Sequence, residues 1–230
     1  TYFLWTLTQE QLKHCLFPIG EYTKPEVRRM AKKAGLPSWD KKDSQGVCFV
    51  GKLDFGQFLR KFLPRKKGKI VTTDGEVIGT HDGAWFYTIG QKIGIMNYEP
   101  CLPAGRSGIK GFKNRIYVVD KDVKKNSLVV SEEKNPALYK KELLATNVSW
   151  VSGVAPKLPL KCKARIRYRQ TLQTCGITNQ ESRIGAEHAN SIIHNSKFII
   201  HFLKPQRAVS PGQSVVFYKG TEMLGGGVID

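Results

Sequence analysis

Over residues 1–64 the apolar positions fall at helical intervals. Thr8-Gln9-Glu10-Gln11 has the form of a capping box, in which the threonine oxygen and the side chain three residues on satisfy free amides of the first turn. It predicts a helix running to about residue 16. Thr23-Lys24-Pro25-Glu26 is a second such box, with proline in the first turn. Val27, Met30, Ala31 and Ala34 then share one face, and Gly35 ends the helix. A third helix is predicted from Asp54, with Phe55, Phe58, Leu59, Phe62 and Leu63 at helical spacing and Pro64 as its stop. Between the second and third helices lie a polar loop, Trp39-Asp40-Lys41-Lys42-Asp43-Ser44-Gln45-Gly46, and a short apolar strand, Val47-Cys48-Phe49-Val50.

Beyond Lys66 the period shortens to that of strands. Segments 69–72 and 76–78 flank Asp74-Gly75, a strong hairpin signal. Segments 115–119 and 127–130 form a second pair, and 98–111, rich in glycine and proline, is expected to be a loop. From Leu143 onward strands are predicted over 143–150, 160–170, 197–203 and 214–218, with a last one near 227–229. Several short strands in so short a stretch predict a small closed barrel. Helices first and strands afterwards make the chain α+β, with expected boundaries at 1–65, 66–140 and 141–230. No internal repeat and no low-complexity tract is visible.

The chain carries 37 Lys and Arg against 19 Asp and Glu, a formal charge of +18. So lopsided a balance favours a polyanionic partner, nucleic acid before acidic membrane. No run of about 20 apolar residues exists to span a bilayer, and the first residues have no signal-peptide pattern. The absence of an initiator Met reads as a chain entered partway through a longer protein, and a cytoplasmic setting is expected.

The sharpest local signal is Lys161-Cys162-Lys163-Ala164-Arg165-Ile166-Arg167-Tyr168-Arg169. Alternation puts Lys161, Lys163, Arg165, Arg167 and Arg169 on one face of a strand and Cys162, Ala164, Ile166 and Tyr168 on the other. Five cations on one face repel one another unless an anion lies across them, and a phosphate backbone fits. The competing reading is a solvated outer face.

The cysteines, Cys15, Cys48, Cys101, Cys162 and Cys175, are odd in number and contain no C-x-x-C. This argues against a structural zinc site or a disulfide framework. Cys48 follows Lys41 and Lys42 and precedes a helix start, two influences that favour a thiolate. A lone Cys between Val and Phe is otherwise a small core residue. Gly46 to Lys52 matches G-x-x-x-x-G-K, but Leu53 stands where a magnesium-binding hydroxyl is needed, so a phosphate loop is rejected. The five histidines show no metal spacing. His81-Asp82 is read as a turn, and Gly225-Gly226-Gly227 as a strand bulge rather than a place where a ligand approaches.

Together, Thr1-Tyr2-Phe3-Leu4-Trp5-Thr6-Leu7, Phe17-Pro18-Ile19-Gly20, Lys42-Asp43-Ser44-Gln45-Gly46-Val47-Cys48-Phe49-Val50-Gly51, Arg167-Tyr168-Arg169-Gln170 and Ser210-Pro211-Gly212-Gln213-Ser214-Val215-Val216-Phe217-Tyr218 resemble the tRNA-specific 2-thiouridylases, in order and over nearly the whole chain. The resemblance implies the end of an α/β nucleotide-binding domain (adenine nucleotide alpha hydrolase-like) at 1–65, a β-rich central domain and a tRNA-binding barrel. It implies sulfur transfer to C2 of the wobble uridine, position 34 of the tRNA, after ATP-dependent adenylation. Cys48 would carry the persulfide, and Arg167, Tyr168 and Gln213 would touch tRNA. ATP with magnesium, a sulfur-relay protein or cysteine desulfurase as donor, and a disulfide bond are further implications. This sequence contains neither the family's S-G-G-x-D-S loop nor its second catalytic cysteine. The ATP-binding half is therefore expected in a missing amino-terminal part or a separately encoded chain. Ile93-Gly94-Ile95-Met96-Asn97-Tyr98 also departs from the glycine-richer family pattern. A non-catalytic RNA-binding barrel is the alternative. An acidic-membrane binder would need a basic amphipathic helix that is not evident.

Overall fold

The computed structural model describes residues 2–42, 55–93, 115–180 and 197–230. The chain divides into two compact units, one made of Glu10–Pro64 and one of Thr1–Gln9 with Arg65–Asp230.

In the Glu10–Pro64 unit the second capping box forms as predicted. The Thr23 N–H and hydroxyl both donate to Glu26 Oε2, at 2.7 and 2.6 Å, which holds the Glu26 carboxyl below its ordinary value. Helix α2 (Lys24–Lys33) follows and ends at Gly35, whose φ of +68° suits a residue without a side chain. Helix α3 spans Phe55–Phe62. The helix predicted to residue 16 is one turn only, α1 (Gln9–Leu12). It ends in tight turns, His14 N–H to Gln11 O and Cys15 N–H to Leu12 O. A single turn with no buried residue has no packed face to propagate it, and the Phe17-Pro18 step just beyond disfavours helix.

The larger unit begins with a five-stranded sheet, β1 (Gly68–Thr72), β2 (Val77–His81), β3 (Lys92–Ile93), β4 (Ile116–Asp122) and β5 (Ser127–Glu132), ordered β2-β1-β5-β4-β3. Only β1 and β5 run parallel. Asp74-Gly75 turns the first hairpin, with Gly75 at φ +87°. Ile70, Ile93, Ile116, Val118, Leu128 and Val130 form its core. His81 is not a turn residue: it is the buried last residue of β2, where Nδ1 accepts from Gly83 N–H at 3.0 Å.

The second half is the closed barrel the strand pattern predicts. Its strands are β6 (Tyr139–Trp150), β7 (Leu160–Arg165), β8 (Gln173–Asn179), β9 (Phe198–Arg207), β10 (Ser214–Lys219) and β11 (Glu222–Ile229), closing in the order β10-β11-β6-β9-β8-β7. Closure leaves no unpaired edge. Trp150, Ile166, Ile177, Phe198, Ile200, Phe202, Val215 and Phe217 fill the interior. The β11–β6 register shifts between Gly226 and Val228, so the glycine run does carry a bulge. It has a packing role too. The ring of Trp5 lies against Gly226, where a Cβ would come within 2.9 Å of it.

The first residues thus pack against the barrel. A short 3-10 turn, Tyr2–Leu4, lies on its outer wall. The Tyr2 hydroxyl donates to Ser214 O at 2.6 Å and the Trp5 indole N–H to Ser214 Oγ at 3.1 Å. Both rings pack on Val216 and Tyr218, the outward residues of β10. No helix among the described residues is long and apolar enough to cross a membrane.

Candidate nucleic-acid interface

The five-cation strand face needs correction. β7 stops at Arg165, where its ladder to β10 ends at Val216 and its ladder to β8 ends one residue earlier, at the Ala164–Gln173 pair. The Ile166 N–H is then taken by the Gln170 side chain at 2.8 Å, and the chain turns over, with Arg169 at φ +67°. Lys161 and Lys163 point outward, exposed, as alternation requires. Arg165 is half-buried, its guanidinium 4.9 Å from the Tyr218 ring on the wall that Tyr2 and Trp5 cover. Arg167, Tyr168 and Arg169 sit in the connection between β7 and β8.

That connection is one lip of a cleft of about 530 Å³ between barrel and sheet. The cleft is lined by Tyr2 and Phe3 of the amino-terminal turn, by Thr88–Gln91 before β3, by Arg167 and Tyr168, and by Ser210 and Gln213 before β10. Arg167, Tyr168 and Gln213 are therefore brought together, although more than 40 residues separate Tyr168 from Gln213. Lys161, Lys163, Arg165 and Arg169 do not line it.

Arg167 ties the two halves of the unit. Its guanidinium donates to Ala208 O at 3.0 Å and to Ile89 O at 3.5 Å. The Ser210 hydroxyl reaches the same two carbonyls, at 3.1 and 3.2 Å. Burial and then the charge of Arg207 hold the Arg167 guanidinium below its ordinary value, with Tyr2 opposing. Gly90 lets the 88–91 segment come this close. Its φ is +82°, and a Cβ there would overlap that of Ala208 and approach Arg167 Nη2 to 3.1 Å. The segment is pinned by Gly90 N–H to Val118 O (2.7 Å), Val118 N–H to Gln91 O (3.0 Å) and Thr88 N–H to Gln91 Oε1 (3.0 Å).

The amino-terminal turn and Tyr168 together make the mouth of the cleft aromatic. Tyr2 is buried, and burial followed by Tyr218 pushes its phenol up to about 12. Phe3 and Tyr168 project instead, 70% and 55% exposed, with ring centroids 5.3 Å apart. The Arg169 guanidinium lies 5.3 Å from the Tyr168 ring. Exposed rings beside guanidinium groups offer stacking faces and phosphate partners at once, the chemistry of single-stranded nucleic-acid sites.

Thr88–Gln91 was not picked out from the sequence, which there shows neither charge nor a familiar spacing; the glycine between hydrogen-bonding residues is its sole signal. Cys48, the Gly46–Lys52 segment and Cys101 lie outside the described residues. The three described cysteines, Cys15, Cys162 and Cys175, are free, so the described residues contain no disulfide. Cys162 and Cys175 face each other across β7 and β8 with sulfurs 3.6 Å apart, and their contact together with burial pushes the Cys175 thiol up. No cluster of three metal-ligating side chains occurs among the described residues.

Profiles of known families match in three blocks: the tRNA methyl transferase HUP domain at residues 1–52, the tRNA methyl transferase PRC-barrel domain at 56–132, and the aminomethyltransferase beta-barrel domain at 140–185 and 183–229. Over its full length the chain is 45% identical to the tRNA-specific 2-thiouridylase MnmA of Coxiella burnetii, 43% to that of Francisella philomiragia and 42% to that of Alkalilimnicola ehrlichii. It spans 57 to 58% of the length of these relatives. The chain belongs to the tRNA-specific 2-thiouridylase family.

Proposed function

We propose that this chain is the tRNA-holding and sulfur-carrying part of a tRNA 2-thiolation enzyme. The observation that carries the proposal is the convergence of Arg167, Tyr168 and Gln213 on one cleft, in a chain related along its whole length to proteins named tRNA-specific 2-thiouridylases. Residues 1–65 serve as the end of the nucleotide-binding domain, 66–140 as a central domain and 141–230 as the tRNA-binding barrel. Arg167 meets a phosphate in the cleft and Arg169 another beside the Tyr168 ring, and Lys161, Lys163 and Arg165 extend the positive field along β7. Each phosphate neutralised releases counterions, so binding falls as salt rises.

Cys48 is assigned the sulfur. Its thiolate accepts a sulfur atom from a donor persulfide, a cysteine desulfurase or a relay protein, and the donor leaves as a thiolate. The carried sulfur is destined for C2 of the wobble uridine. ATP with magnesium supplies adenylation in the complete enzyme. The 230 residues contain neither an S-G-G-x-D-S loop nor a hydroxyl after Lys52, so no residue here is assigned to ATP and no step through it is drawn. A separately encoded nucleotide-binding chain or the rest of a longer one would provide it. The setting proposed is the cytoplasm.

The test is Cys48→Ser in the enzyme that includes the nucleotide-binding element. Salt-sensitive tRNA binding should survive and 2-thiouridine formation should stop. Thiolation that continues without this cysteine would leave only an RNA-binding barrel. Iodoacetamide labelling gives a second reading: Cys162 and Cys175 are buried and should label slowly, and Cys48 should outpace Cys15 at neutral pH.

A further inference from the structure

The ring of Phe3 is 70% exposed and belongs to none of the hydrophobic core clusters, yet it has ring neighbours on the barrel wall. Its neighbour Tyr2 is anchored through Ser214 O and meets the Phe3 ring edge-on, centroids 5.2 Å apart and planes at 87°. Tyr168 packs against the same pair, 5.3 Å from Phe3 at 39° and 6.3 Å from Tyr2. Two large apolar faces held open to water beside a cleft are costly unless something covers them. The neighbouring groups say what. Arg167 lies in the cleft wall and Arg169 beside Tyr168, and the carboxamides of Gln91 and Gln213 line the same cavity. A flat, π-faced ligand carrying phosphate satisfies rings, cations and amides together; a lipid chain or an apolar peptide satisfies the rings alone.

We propose that Phe3 and Tyr168 form the stacking platform for one unpaired nucleobase of the bound tRNA, that Gln91 and Gln213 meet its polar edge, and that Arg167 and Arg169 hold the flanking phosphates. This rests on the tRNA-binding reading above and adds Phe3 and Gln91 to it as positioning residues. The platform is preassembled, because the Tyr2 anchor fixes the Phe3 backbone before any RNA arrives, which lowers the ordering cost of binding.

The test is fluorescence anisotropy of labelled tRNA with the full chain at several salt concentrations, for wild type, Phe3→Ala, Phe3→Leu, Phe3→Trp and Arg167→Ala. Stacking on one base predicts that Phe3→Ala and Phe3→Leu weaken binding about tenfold while leaving the slope of log affinity against log salt unchanged. Phe3→Trp should bind at least as well as wild type. Arg167→Ala should lower both affinity and slope. The thermal midpoint of the Phe3 variants should match wild type, since the ring supports no core. Wild-type affinity in Phe3→Ala or Phe3→Leu, or a slope that falls with the affinity, overturns the stacking platform while the tRNA-binding reading stands. Wild-type protein that shows no salt-dependent tRNA affinity overturns both.

Discussion

Replacing Gly90 by alanine should cost far more than the same change at Gly153, and the difference measures how tightly the sheet is locked to the barrel. Both glycines have left-handed backbones, φ +82° and +78°. An alanine in that region costs about 1–2 kcal/mol, offset by roughly 0.4–1 kcal/mol from the stiffer unfolded chain. At Gly153 nothing lies within 4 Å of the new methyl, so about 1 kcal/mol is the whole effect. At Gly90 the methyl overlaps the Ala208 Cβ, which is fixed to the backbone, and crowds Arg167 Nη2. Overpacking of that kind adds roughly 1–3 kcal/mol, for a total of about 2–4 kcal/mol. Urea unfolding followed by circular dichroism should show the gap as a lower midpoint at constant m-value. The Arg167 guanidinium must move as well, so tRNA affinity should fall in Gly90→Ala and hold in Gly153→Ala. Equal losses of stability in the two variants would refute the argument that the 88–91 segment is locked against Ala208 and Arg167.

Two further outcomes follow from the same geometry. Tyr2→Phe removes the donor to Ser214 O and should destabilise the fold by about 1–2 kcal/mol, with weaker tRNA binding because Phe3 loses its anchor; thermal unfolding and anisotropy check it. His81 is held below its ordinary 6.5, chiefly by burial, so below about pH 6.5 the unfolded chain takes up a proton that the folded chain refuses. Stability contributed by this site is full above that pH and is lost as pH falls through the lowered folded value; an NMR titration placing the His81 ring at or above 6.5 would contradict it.

Local signals carried much of the fold. The Thr23–Glu26 box, Asp74-Gly75 and Pro64 act on their immediate neighbours, and each marks an element or its end where expected. The closed barrel followed from regular short strands. Strand β8 escaped notice because Gln173–Asn179 buries only Cys175 and Ile177 among polar residues. The end of β7 is set by two ladder partners and by the Gln170 side chain, none of which alternation within 161–169 can reveal. Helix α1 stopped early because a capping box starts a helix and only a packed face extends it.

The candidate site was legible in part for a related reason. Arg167, Tyr168 and Gln213 came from motif resemblance, and their joint position in one cleft depends on barrel closure. Thr88–Gln91 is the turn before β3 of the other sheet, brought in by Gly90 and by carbonyls shared between Arg167 and Ser210. Backbone contacts of that kind leave little trace in side-chain pattern.

Ultraviolet cross-linking of bound tRNA, with the attached peptides identified by mass spectrometry, locates the RNA directly. Adducts should concentrate on Phe3, Tyr168 and the residues beside Gln213. Adducts confined to residues that do not line the cleft, with none at Phe3, Tyr168 or beside Gln213, would contradict the account.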